Sequence, residues 1–345
     1  MKPALALILL TLMFLCTPIS LLAEEIVINA AGDIMLAGKW APVLKSSGYG
    51  YPFDGIKAEL AKGDINIANL ESPIASGGSE FSGKQFRFRA EPAVAKAIRA
   101  AGFNMVTLAN NHSMDYGGAA LAETLGHLDA AGIAWIGAGL NLDEARQMAL
   151  YTVKGKKIAF LGYSLTRPIE FFAGKTRPGT APGYEKLVTA DVASARRQAD
   201  YVIVSFHWGK EAGDTAQANQ RNAAHNAIDA GADVIIGHHP HVLQGVEIYK
   251  KGIIFYSLGN LAFASKSTTA DVGALIRLRL DEKQRTAEIL PLDVLNHRVG
   301  FQPRLLSGTR AEAVMEKLRV LSQPFRTEIR NSGGKYSVDF SGSDR

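Results

Sequence analysis

The chain has 345 residues, about two domains' worth at roughly 150 per domain, or one large sheet-based domain with an addition. With 47% hydrophobic and 21% charged residues, it has the composition of a packed globular protein, which excludes disordered, collagenous and coiled-coil chains. The formal charge of +5 is mild, and there is no basic run, cysteine cluster or basic helix interleaved with aromatics, so nucleic-acid binding is disfavoured.

After Lys2 the run ALALILLTLMFLCTPISLLA is apolar apart from a few hydroxyls, and Glu24 and Glu25 end it. This reads as an export signal that sends the chain to the periplasm or cell surface. Pro18 and Ala23 fit a cleaved leader, and a length near the roughly 20 residues that span a bilayer fits a retained anchor. The one cysteine, Cys16, lies inside this run behind Met13, Phe14 and Leu15, which lack the small residue of a lipoprotein cleavage site. The exported part therefore has no thiolate chemistry and no disulfide.

From Ile26 onward, short apolar runs alternate with helix-like stretches. The order is IVINAAGD, a helix near Pro52 to Ala61, INIANLE, a helix from Pro92 to Ala101, NMVTLANNH, a helix from Gly118 to Ala130, and IAWIGAG. A hairpin turning at Lys154 and Gly155 follows, then a helix from Ala190 to Gln198, YVIVSFHWG, a helix around Ala216 to Ala230, and ADVIIGHHPH. This alternation predicts an α/β architecture. VLQGVEIYK, GIIFYSLGN, VGALIRLRL and TAEILPLDV then give strand signals only, expected to form a second sheet or the far half of a sandwich. Thr166 to Tyr184 reads as a long loop, and the region past Pro303 as an appendage with a helix near Glu312 to Leu321 and no chemical signal.

Five of the strand-like runs end in groups that bind metals: Asp33, Glu71, Asn111 with His112, His207, and His239 with His241. In open α/β sheets the site lies beyond the carboxyl ends of the strands, so these groups converge if the strands share a direction. Two carboxylates, an amide oxygen and imidazoles suit Mn, Fe, Zn or Mg. A shared carboxylate would let two ions activate water for hydrolysis, with a neighbouring non-ligating histidine protonating the leaving group. Taken singly, Asp33 and Glu71 are as readily turn or strand-end residues. The cluster His238, His239, Pro240, His241 is the strongest signal, because three imidazoles in four residues have few structural uses. Trp208 and Glu211 are read as supports that orient the His207 ring, His238 as a further support or substrate contact, and Asn260, in a turn with Ser257, Leu258 and Gly259 under the site, as a support or as packing. Arg87, with Arg89, Arg167 and Arg177, would receive an anionic substrate or simply be solvated. His127, His225 and His297 are read as structural.

GDIM, NLESPI, LANNHSMDYGGAAL, FHWGKE, GADVIIGHHPHV and YSLGN occur in order from about Ile26 to Phe263. In this the sequence resembles the bacterial capsule-synthesis family called CapA, or PgsA in poly-γ-glutamate systems, a branch of the calcineurin-like metallophosphoesterases. The resemblance implies a four-layer α/β/β/α sandwich over residues 24–270, followed by closing strands and an appendage over 271–345. It implies metal ligation by Asp33, Glu71 in the bridging position, Asn111, His207, His239 and His241, with His112 as general acid. Met35 stands where the superfamily has a histidine ligand, so one of two metal positions is short of a ligand. The functions implied are a metal-dependent hydrolase of phosphoester or amide bonds, or a non-catalytic accessory of a membrane export complex. Both act on an anionic polymer such as capsule polysaccharide or poly-γ-glutamate, and a periplasmic nucleotidase is the third reading.

Overall fold

A computed structural model describes residues 24–342, so the expected leader at 1–23 lies outside the described residues. Among the described residues no helix is long and apolar enough to cross a membrane.

β1 (Ile26–Met35), β2 (Ile65–Leu70), β3 (Met105–Thr107) and β4 (Ala134–Ile136) lie side by side and parallel. Helices Ala93–Ala101 and Gly117–Ala131 connect the later pairs, and short turns of helix at Tyr51–Phe53 and Lys57–Leu60 stand where one helix was expected. On the other side of β1 the sheet continues antiparallel through Val272–Leu280, Arg285–Asp293, Lys335–Asp339 and Arg330–Ser332. The second sheet runs Val246–Tyr249, Gly252–Phe255, Val234–His238, Tyr201–His207, Lys156–Ser164, Ala149–Val153, with its four central strands parallel. The hairpin turn falls on Lys154 and Gly155, both left-handed (φ 50° and 79°), the geometry that a two-residue turn needs to match strand twist.

Strand periodicity of two sorts these residues into three cores. Ile26, Ile28, Ile65 and Ile67 face Phe160, Ile203, Ile236 and Phe255 between the sheets. Ile34, Ala68 and Leu70 face Val94, Ile98, Leu121 and Leu128 of the helices over the first sheet. Leu161, Val202, Val204 and Ile235 face Val188, Val192, Ala224 and Ile228 over the second. The result is the α/β/β/α layering expected. Parallel strands buried on both faces read as continuous apolar runs, and all ten residues of β1 are buried.

The strand-only stretch does not form a sheet of its own. Its first two strands extend the second sheet, and Val272–Leu280 and Arg285–Asp293 pair with β1 and each other in the first. The region past Pro303 is also more than an addition. Its helix Gly308–Ser322 puts Ala311, Met315 and Leu318 into the core between the sheets, where an open edge would otherwise expose apolar surface.

β1 changes partners at its carboxyl end. Residues 26–31 pair with Val272–Leu280, whereas Asp33 and Met35 pair with the strand Asn260–Phe263. At the switch, a Cβ on Gly32 would lie 2.1 Å from the Gly259 carbonyl oxygen, so the glycine of GDIM answers the glycine of YSLGN. Gly237 stands likewise against Tyr256, whose carbonyl oxygen would be 2.0 Å from a Cβ there.

Candidate metal centre

Both sheets end their parallel strands at the same edge, and the polar strand ends meet there. Asp33 closes β1, Glu71 follows β2, Asn110 to His112 follow β3, and His207 and His238 are the last residues of their strands. His239 and His241 come next, both with left-handed backbone (φ 95° and 59°).

Glu71, His207 and His239 offer ligand atoms that all lie within 4.8 Å of one another, as do Asp33, Glu71 and His241. Glu71 thus belongs to both sets, as a bridging carboxylate would. Its Oε1 is 3.6 Å from His207 Nε2 and 3.8 Å from His241 Nε2. Asn111 Oδ1 is 2.8 Å from His207 Nε2, which brings the amide to the same place. Glu71 Oε1 and His239 Nδ1 are buried and have no hydrogen-bond partner among the described residues. Such groups are costly unless something satisfies them, and a divalent cation satisfies both. The donor set, imidazole with carboxylate and amide oxygen, has the chemistry of a borderline divalent ion.

Asp33 is engaged differently. Asn69 Nδ2 donates to its Oδ1 (2.9 Å), the His239 backbone N–H to its Oδ2 (3.3 Å), and His241 Nδ1 lies 3.0 Å from that same Oδ2. His238 Nδ1 lies 3.1 Å from Oδ1. Met35 is fully buried in the helix-side core.

The electrostatics follow from burial. Burial and then the charge of Asp33 push the Glu71 carboxyl well above its usual range, a penalty that a bound cation removes. Burial alone would raise Asp33 too, but His238 and His241 outweigh it and hold that carboxyl well below the usual range. Burial and neighbouring imidazoles hold His207 well below its ordinary value, and His239 down to about 3. Burial disfavours the charged form of His241 as well, but Glu71 and Asp33 overcome this and raise it to about 9.

Beside this set stands a second group. His112 Nδ1 lies 2.6 Å from Asp115 Oδ2, its ring packs on Phe88 at 4.8 Å, and its backbone N–H is held by Asn110 Oδ1. Lys84 Nζ donates to Asp115 Oδ1 (2.6 Å) and to the Asn111 carbonyl, and lies 2.9 Å from His112 Nδ1. An ionised carboxylate only accepts, so the 2.6 Å contact with Asp115 favours the tautomer with its proton on Nδ1. Burial lowers the His112 pKa, and Asp115 opposes the shift.

The other candidates fall into place around these groups. Asn260 Oδ1 is 3.0 Å from His241 Nδ1, where it orients the ring together with Asp33. Trp208 turns into the core, stacked on Phe206 at 4.6 Å and donating to the Tyr256 carbonyl (2.8 Å), so it braces the strand end by packing. Arg87 is paired with Glu80 (3.1 Å) on the rim loop, and Glu211 sits with His239 and His241. His225 contacts Glu247 (3.0 Å) and stacks on Tyr249, away from the centre, and His297 packs edge-on against Trp40. Sequence reasoning missed Asn69, Asn110, Lys84 and Asp115. Asp115, three residues after His112, had a spacing signal. Asn69 had a weaker one, two residues before Glu71 on the same strand face.

The profile of bacterial capsule synthesis protein PGA_cap matches residues 27–265, which hold every residue of the cluster. The chain belongs to that family. Within it, the chain is 31% identical to capsule biosynthesis protein CapA of Bacillus anthracis, over 79% of this chain and 68% of that one. It is 30% identical to PGA biosynthesis protein CapA of Bacillus subtilis strain 168, over 91% and 82%. Among solved structures it is similar to Haemophilus influenzae NAD nucleotidase (14% identity, TM-score 0.46, covering 86% of this chain and 63% of that one). A 5'-nucleotidase precursor from Thermus thermophilus gives 13%, 0.47, 87% and 59%. The chain thus spans about six tenths of the length of those two structures.

Proposed function

We propose that this PGA_cap-family protein is an exported metal-dependent hydrolase that cuts a phosphoester or amide bond during synthesis or export of an anionic capsule polymer of the poly-γ-glutamate type. The observation that carries the reading is the buried, unpaired Glu71 Oε1 between His207 and His241, with the His112–Asp115 pair alongside. Glu71, Asn111, His207 and His239 hold the ion, which when bound supplies Lewis acidity and lowers the pKa of water. His112 gives a proton to the leaving group through Nε2, since Asp115 occupies Nδ1. Asp115 and Lys84 keep that ring in one orientation, and burial makes its protonated form a stronger acid. The apolar run at residues 1–23 supports export, and the polymer is the part of the reading that rests on the family.

The test is turnover. The full chain in detergent, loaded with Mn(II), Zn(II) or Fe(II), is assayed on bis(p-nitrophenyl) phosphate, sugar phosphates, nucleotides and poly-γ-glutamate. Metal-dependent cleavage that is lost in His112→Ala supports the reading, and preference for nucleotides would make it a nucleotidase. No cleavage of any of them would transfer the function to the accessory reading. That reading is favoured by Asp33, whose oxygens are already hydrogen-bonded, and by Met35, whose side chain lies in the core.

A further inference from the structure

Glu211 lies on the loop leaving the Tyr201–His207 strand, and that loop is fastened to the histidine cluster on both sides of it. Trp208 N–H donates to the His238 carbonyl (3.1 Å) and Ala212 N–H to the Pro240 carbonyl (2.9 Å). Ala212 has a left-handed φ of 58°, and Gln244 Nε2 holds the Gly213 carbonyl at 2.7 Å. The turn therefore holds the exposed carboxylate of Glu211 over His239 and His241, all three ligand atoms lying within 4.8 Å of one another. Among the described residues no hydrogen bond or ion pair engages that carboxylate. Beneath it, His239 is 8% exposed and its Nδ1 has no partner. His241 has Nδ1 directed to Asp33 and Asn260, which leaves Nε2 on the side facing Glu71 Oε1 at 3.8 Å.

We propose that Glu211 is a metal ligand that, with His241 Nε2 and the Glu71 carboxylate, forms a second divalent-cation position at the mouth of the site. It supplies the ligand that Met35 does not. A thioether in the core is of no use to a borderline divalent ion, whereas a glutamate on a fastened turn needs only a rotamer change to close on the imidazole. The outer position has an exposed ligand and the inner one, with Glu71, His207 and His239, is buried, so the outer ion is the weaker and faster-exchanging of the two. This inference rests on the metal-centre part of the proposed function and is independent of whether any bond is cut.

The experiment is titration of the full chain in detergent, stripped by chelator, with Co(II) alone, following visible absorption and bound metal per chain. The wild type is expected to bind two ions in two phases. Glu211→Gln should lose the weaker phase, or weaken it at least about tenfold, while the tighter phase persists. His207→Ala should take the tighter phase instead. Glu211 is exposed, so its replacement leaves the fold intact, which the retained tight phase verifies. Two phases unchanged in Glu211→Gln, or one phase in the wild type that Glu211→Gln leaves unaltered, would overturn the proposal while sparing the single-ion hydrolase. No binding at all would overturn both. Loss of one ion in Glu211→Gln from a protein that cleaves no substrate would uphold the site and sink only the hydrolase.

Discussion

Raising the pH of the metal-stripped protein from 6.5 to 9 is expected to destabilise it, with His241 as a main cause. Folded His241 holds its proton to about 9, whereas an imidazole in the unfolded chain releases it near 6.5. A base whose pKa rises on folding contributes stability that is complete below the unfolded value and lost as pH climbs to the folded one. At about 1.36 kcal/mol per pH unit, the interval is worth about 3 kcal/mol. The raised Glu71 acid acts in the same direction from lower pH. His207 and His239, both depressed, act below 6.5, where acid favours the unfolded chain, and the lowered Lys84 works against the alkaline loss, adding stability as pH rises toward 10.5. Urea denaturation of chelator-treated protein, followed by tryptophan fluorescence at steps across this interval, measures the effect in the wild type and in His241→Asn. Asparagine keeps a donor toward Asp33 and Asn260 but does not titrate. The wild type should lose about 3 kcal/mol and the variant at most about a third of that. Added Mn(II) should restore stability at alkaline pH by binding the deprotonated ring. Wild-type stability that is flat or rising over the interval, or an equal loss in the variant, would refute the assignment.

His112→Ala should lower kcat on an activated phosphodiester by about 10²–10⁴-fold while bound metal per chain stays constant, because the proposed role of the ring is to donate a proton and not to hold an ion. Elemental analysis alongside kinetics checks both halves. Met35→Leu should leave metal stoichiometry unchanged and cost under about 1.5 kcal/mol, as a volume-conserving core exchange; loss of an ion would make the sulfur a ligand. Gly237→Ala should destabilise by about 1–3 kcal/mol or more, since its Cβ would meet the Tyr256 carbonyl oxygen at 2.0 Å and Trp208 Nε1 at 2.7 Å. A urea midpoint within error of the wild type would contradict that close approach.

The layered fold was legible because parallel strands buried on both faces leave continuous apolar runs with a polar group at one end, and β1 and Tyr201–His207 are such runs. The metal-ligand candidates were legible for the same reason, since they stand at or just past the polar ends of such runs. Lys84 carried no such signal. It comes from a loop, and only the fold brings it to the Asn111 carbonyl, 27 residues along the chain, and to Asp115, 31 residues along. Trp208 misled because adjacency to His207 in sequence means the opposite face of a strand end, where the ring meets Phe206. The strand-only stretch misled because strand propensity gives no partner: Val272–Leu280 could be placed beside β1 only by knowing that Asn260–Phe263 takes over the end of β1.

That exchange of partners along β1 also sets a time order. Asp33 and His241 are 208 residues apart, and the strand that seats Asp33 from the other side begins at Asn260. A ribosome making the chain from its amino end releases Asp33 and Glu71 long before His207, the first imidazole grouped with either of them. Half a chain therefore has the acids without the bases, and contacts of this span form late because their loop entropy must be overcome first. Uptake of the proposed ion would then wait for His241 and Asn260 to be made.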